Sequence, residues 1–145
     1  MTTREYLESY QYLKMQIIHS EKQLEDVAKE IASLQAIDYS KEKIQAPAQN
    51  DPIGNLVIEV VREKTVLCMK ILGYKTKKNL IESQVDKIKD IDPKAYILLY
   101  QLFIACIPSR EIKVGRVTTD RQFYRDLSKA MKIFEKLFGI TYKNA

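Results

Sequence analysis

Apolar residues recur in alternating steps of four and three along the first 34 residues of this 145-residue chain. The positions between them are rich in Glu, Lys and Gln, and only Ser20 interrupts the apolar series. Such heptad spacing gives a helix one apolar seam and is typical of a coiled coil. The pattern stops at residues 38–40, and Pro47 then indicates a loop. The seam consists of Tyr6, Tyr10, Leu13, Ile17, Leu24, Val27, Ile31 and Leu34.

The same spacing returns near residues 52–90 and predicts a second long helix. Asp51 and the proline after it suit a helix start, because the first can accept a backbone hydrogen bond and the second has no donor to leave unpaired. Gly73, in mid-segment, predicts a kink or a close contact with another helix. Two matched helices joined by one loop most simply form an antiparallel hairpin, and pairing between chains is the alternative. We therefore predict a hairpin arm over residues 1–90, with its loop at 38–52.

Residues 91–145 predict a separate helical module, and the whole chain is predicted to be all-α. Asp92 and its following proline repeat the helix-start pattern, and the helix up to Cys106 is apolar on most faces. Ser109 is predicted to cap a short helix over residues 110–115. A long basic helix follows.

The formal net charge of +5 belongs entirely to the end of the chain. Residues 1–108 carry 15 basic and 15 acidic side chains, whereas residues 109–145 carry nine basic and four acidic ones. A basic terminal segment predicts a polyanionic partner, and nucleic acid is the first candidate. A lysine-rich helix face exposed only to solvent is the alternative.

The last helix separates its basic and apolar residues. On a helical wheel, five cations fall within roughly 80° of one another, opposite an apolar stripe. Gly139 comes directly after the last apolar residues and predicts a left-handed helix stop. The cations are Arg121, Arg125, Lys129, Lys132 and Lys136, and the stripe is Phe123, Leu127, Ala130, Phe134 and Leu137.

No pattern in the chain predicts catalysis, a metal or a cofactor. The single histidine, His19, lies at an outer heptad position and is predicted to be solvated. Cys68 and Cys106 are far apart in apolar contexts, which predicts reduced, buried thiols in a cytoplasmic protein. The polar N-terminus does not match a signal peptide, and no apolar stretch is long enough to cross a membrane, so we expect no membrane partner.

Residues 109–125 resemble region four of bacterial sigma factors, and look closest to the small phage regulators of the ArpU and RinA type. Those proteins share a Glu-Ile pair, a turn and a Ser/Thr-x-Arg-x-hydrophobic-Tyr-Arg run. The layout of the whole chain is also similar. The resemblance implies a small residue at Lys113 and an apolar one at Arg116, where this chain departs from the pattern. The matching residues are Glu111, Ile112, Thr119, Arg121, Phe123, Tyr124 and Arg125.

The resemblance implies a helix-turn-helix that regulates transcription, as an activator of late genes in the cytoplasm of a phage host. Double-stranded DNA and RNA polymerase are the implied partners. From the hairpin arm itself we expect a homodimer that is built partly on the outer surface of the hairpin. Tyr124 is expected at the edge of the core rather than on a base. The alternative is a helical module that docks on polymerase or a host protein without reading DNA. The implied base contacts are Arg121, Gln122 and Arg125, and the implied phosphate contacts are Thr118, Thr119, Lys129 and Lys132.

Overall fold

The computed structural model describes residues 1–41 and 52–143, with side chains described for 1–36 and 54–143. Throughout these ranges the secondary structure is helical, without a strand, which confirms the predicted all-α class. The helices are α1 (Thr3–Lys41), α2 (Pro52–Ile88), α3 (Pro93–Leu99), a π-helical turn (Tyr100–Ile104), α4 (Ser109–Arg116) and α5 (Asp120–Lys143).

The chain forms two compact units, and the first consists of residues 16–75. In it α1 and α2 pack together around Val27, Val60 and Leu67. Lys75 of α2 donates to Glu21 of α1 across 3.0 Å. Because low numbers on α1 lie against high numbers on α2, the two helices are antiparallel. The predicted pairing of the two long helices is confirmed.

The second unit combines Met1–Met15 with Thr76–Ala145. In it the first turns of α1 pack on the end of α5: the ring of Tyr6 stacks on that of Tyr142 at 4.4 Å. The hydroxyl groups of Thr3 and Tyr142 form a buried hydrogen bond of 2.8 Å. Leu7 is completely buried. The compact units divide the chain after residues 15 and 75, and the functional boundary at residue 90 stays a prediction.

A tyrosine also joins α1 to α2 within the second unit. The hydroxyl of Tyr10 donates to the carboxylate of Glu82, and the Lys78 ammonium lies 5.9 Å from the tyrosine ring centroid. Burial raises the pKa of Tyr10, and the neighbouring Glu82 carboxylate raises it further. This tyrosine therefore stays neutral and remains a hydrogen-bond donor.

The structure confirms the predicted start of α3 and corrects two other helix ends. Asp92 accepts hydrogen bonds from the backbone nitrogens of residues 94 and 95, at 3.1 and 3.3 Å. The predicted cap at Ser109 is wrong, because Ser109 is the first residue of α4 and Pro108 precedes it without a side-chain hydrogen bond. The predicted stop at Gly139 is also wrong. The helix continues to Lys143, which pairs with Glu135 over the glycine, and Tyr142 is buried in the last turn.

On α2, one of the two alternatives for Gly73 is excluded, and the predicted burial of Cys68 is wrong. A Cβ added at Gly73 would meet no atom of another helix within 4 Å, so the glycine marks no close helix contact, and a kink there stays a prediction. Cys68 is exposed because its neighbour Leu67 takes the buried seam position. His19 is exposed, as predicted, and α1 extends to Lys41, slightly beyond its expected end. The predicted cap residue Asp51 and most of the predicted loop lie outside the described residues.

Candidate nucleic-acid interface

A three-residue turn joins α4 to α5. Its first residue, Val117, has a left-handed backbone with φ of 52°, and its nitrogen donates to the carbonyl of Val114. The hydroxyl of Thr119 accepts a hydrogen bond from the backbone nitrogen of Gln122 at 3.2 Å and caps the first turn of α5. Ile112 on α4 and Phe123 on α5 are both buried.

The outer side of α5 carries a basic face, which we define as Arg121, Arg125, Lys129, Lys132 and Lys136. All five side chains are exposed. Within the described part of the chain none of them forms an ion pair. The opposite stripe is buried at Phe123, Leu127, Ala130 and Phe134, whereas Leu137 is 46% exposed, contrary to its predicted core position.

The carboxylates of α5 are bound to groups that lie outside the basic face. Asp120 lies 3.4 Å from the ammonium of Lys113 on α4. Asp126 accepts a 2.9 Å hydrogen bond from the amide of Gln122, and Glu135 pairs with Lys143. The five cations therefore keep their charge available for an external anion.

Not all of the predicted contact residues lie on the basic face. Thr118 is half-buried, and its hydroxyl has no hydrogen-bond partner among the described residues. Thr119 is exposed at the start of α5 and uses its hydroxyl as the cap. Gln122 is exposed, but its amide is bonded to Asp126. The structure brings together the other four: Arg121, Arg125, Lys129 and Lys132.

Lys113, where the resemblance implies a small residue, links α4 to α5. Its ammonium lies 4.5 Å from the ring centroid of Tyr124 and 5.2 Å from that of Phe123. It also donates to the Tyr124 hydroxyl at 3.3 Å. The hydrogen bond to Tyr124 and the carboxylate of Asp120 raise the pKa of Lys113, so the side chain stays cationic. The long side chain thus fits the space between the helices by lying over two rings.

Tyr124 itself is half-exposed. Its ring meets that of Phe123 nearly edge-on, at 5.4 Å and 78°. The contact places Tyr124 at the edge of the core, as the sequence predicts, with its hydroxyl bonded to Lys113.

Arg116, where the resemblance implies an apolar residue, lines a recess of about 210 Å³ between the start of α3 and the middle of α5. The side chain is half-buried, and its Nη1 atom is buried. Gln122 and Lys129 of α5 line the same recess. Sequence reasoning did not find this recess, although an arginine at a core position was a signal for it.

No helix in the described ranges is long and apolar enough to cross a membrane. Among the described residues, His, Cys, Asp and Glu form no group of three that could hold a metal ion. Comparisons of the chain with protein-family models, with curated proteins and with solved structures found no match.

Proposed function

We propose that this protein is a transcription regulator that binds double-stranded promoter DNA through α4, the turn and α5. The observation that carries the proposal is the basic face: five exposed cations on one side of α5, with the helix's carboxylates bound elsewhere. Phosphate neutralisation dominates the affinity of proteins for duplex DNA, and such a face supplies it. Residues 109–125 also resemble the helix-turn-helix of region four of sigma factors.

The proposed role is activation of late genes in a phage, in the cytoplasm of its host. It rests on the resemblance to regulators of the ArpU and RinA type. RNA polymerase is the proposed second partner, since region four of a sigma factor contacts both promoter DNA and polymerase.

In the proposed complex, Arg121 and Arg125 reach base edges in the major groove, where arginine can bridge O6 and N7 of guanine. Lys129 and Lys132 contact phosphates and position the helix without specifying sequence. Thr118 and Thr119, at the turn, lie near the phosphate backbone of the DNA. Gln122 can read adenine only after its amide leaves Asp126, so its contribution is conditional on that rearrangement.

A homodimer is the proposed active form. Within residues 16–75, the outer face of α2 exposes several large apolar side chains to solvent. Val61 is 43% exposed and Met69 is 69% exposed, with Ile58 exposed on the same face. Contiguous exposed apolar residues mark association surfaces. A second copy that buries this face would present two DNA-binding modules to two half-sites.

The test is DNA binding as a function of salt. Fluorescence anisotropy with a duplex selected from the element's own genome should show affinity that falls steeply as salt increases. Arg121→Ala combined with Arg125→Ala should weaken cognate binding by about 30-fold or more, since each bidentate base contact contributes about 1–3 kcal/mol. Lys70→Ala combined with Lys77→Ala removes the same charge from exposed positions on α2 and should leave affinity unchanged. Equal, salt-insensitive binding by all three proteins would refute the proposal.

The alternative function is a helical module that docks on RNA polymerase or a host factor without sequence-specific DNA binding. The two departures from the sigma-like pattern favour it, because Lys113 fills the contact between α4 and α5 and Arg116 replaces a core residue. Direct binding of the purified protein to polymerase in the absence of DNA, together with no preference among duplexes, would support this alternative.

A further inference from the structure

The recess between α3 and α5 has a polar wall. Small apolar side chains, among them Ala95 and Ala130, make part of its lining. Its volume of about 210 Å³ leaves room for a group larger than one water molecule. The charged and amide side chains that line it are Asp92, Lys94, Arg116, Gln122, Asp126 and Lys129.

Arg116 brings an unsatisfied donor to this recess. The guanidinium group has five N–H donors and no acceptor. Its Nη1 atom is buried and finds no acceptor in the described part of the chain. A buried donor without a partner is costly, and each such group requires an explanation, for instance an ion that the site binds.

The two carboxylates of the recess have other donors. Asp92 uses its Oδ1 atom to accept hydrogen bonds from the backbone nitrogens of Lys94 and Ala95 at the start of α3. Asp126 accepts the amide of Gln122. Three cations against these two carboxylates leave a balance of +1. Electrostatics and hydrogen bonding therefore both favour an anion with several acceptor oxygens.

We propose that this recess is a phosphate site in which Arg116 is the principal ligand, with Lys94 and Lys129 beside it. A phosphate group supplies acceptor oxygens in the geometry that a guanidinium group binds best. Lys129 belongs to both the recess and the basic face, so the site adjoins the proposed DNA surface. The phosphate source that we assign is the backbone of the bound duplex, and this assignment rests on the proposed function. A free phosphate compound is the other source of the same chemistry.

Inorganic phosphate tests the site without DNA. At constant ionic strength, phosphate in place of chloride should raise the thermal unfolding midpoint of the wild-type protein, because a ligand that binds only the folded state stabilises it. Arg116→Met, which keeps the side-chain length and removes the guanidinium, should lose this shift. Arg110→Met, at an exposed position on α4, should keep it. Asp126→Asn retains an acceptor for Gln122 and removes a negative charge, so its shift should be larger.

Duplex DNA identifies the source. Arg116→Met should lower DNA affinity about equally for all sequences and reduce the slope of log affinity against log salt by about 0.9, the value for one phosphate contact. A phosphate-dependent shift with an unchanged salt slope would keep the site and assign it to a free phosphate compound. If phosphate does not stabilise the wild-type protein and Arg116→Met leaves the salt slope intact, the proposal is overturned. The Arg121 and Arg125 variants test only the proposed DNA binding. The phosphate measurement contains no DNA, so its result does not depend on theirs.

Discussion

At the scale of single residues, the turn between α4 and α5 departs from ordinary backbone geometry. Val117 adopts φ of 52° although its side chain is β-branched and 92% exposed. The left-handed region costs an L-residue roughly 1–2 kcal/mol relative to the right-handed one, and glycine avoids this cost. The exposed valine makes little packing contribution that could offset it.

Val117→Gly should therefore stabilise the protein by about 0.5–1 kcal/mol, after allowance for the larger backbone entropy of glycine in the unfolded chain. The control is Val114→Gly, three residues earlier and 74% exposed within α4. That change should destabilise by several tenths of a kcal/mol, because glycine is a poor helix former. Urea unfolding measures both. If both variants change the free energy of unfolding in the same direction, the left-handed backbone at Val117 does not lower the stability of the protein.

At the scale of helices, the N-terminus of α1 supports α5. Tyr6 stacks on Tyr142, Thr3 is hydrogen-bonded to the same tyrosine, and Leu7 is fully buried in the same unit. The side of α5 opposite the basic face therefore rests in part on residues from the other end of the sequence.

Leu7→Ala should cost about 2–5 kcal/mol of unfolding free energy, as is usual when a large aliphatic side chain is removed from a core. Tyr12→Ala, five residues later on an exposed position, should change it by no more than about 0.5 kcal/mol. Chemical unfolding followed by circular dichroism measures the difference. A cost at Leu7 no larger than that at Tyr12 would show that α5 holds its place without α1.

Sequence patterns predicted what is local or periodic. The heptad seams predicted that α1 and α2 pack together, and the Asp92-Pro93 pair predicted the start of α3. The wheel of α5 separated exposed cations from buried rings, with Leu137 as the exception. No local pattern could reveal that Tyr6 meets Tyr142, because that contact joins residues 136 positions apart. Gly139 shows the same limit, since burial of Tyr142 and the ion pair above the glycine override its tendency to end a helix.

At the scale of the whole molecule, the proposed active form is a homodimer. The exposed apolar face on α2 lies near residues 58–69, and burial of apolar surface is the main driving force for association. Two modules that bind half-sites about one helical turn apart gain affinity from being joined, because the second contact becomes intramolecular. The contribution of dimerisation to DNA affinity should therefore appear only on a duplex that is long enough to hold both half-sites.

Val61→Glu combined with Met69→Glu should make the protein monomeric, since two charges on each copy would have to be buried unpaired in the dimer. Its stability should change little, because both side chains are exposed within a single copy. Sedimentation velocity over a range of concentrations measures the oligomeric state. Ile97→Glu, at an exposed position on α3, is the control and should remain dimeric.

On DNA, the double variant should bind one half-site as well as the wild type does and lose the extra affinity for two. The proposed dimer is wrong if the wild-type protein sediments as a monomer at every concentration. It is also wrong if the double variant dimerises normally. In either case this face of α2 serves some other contact.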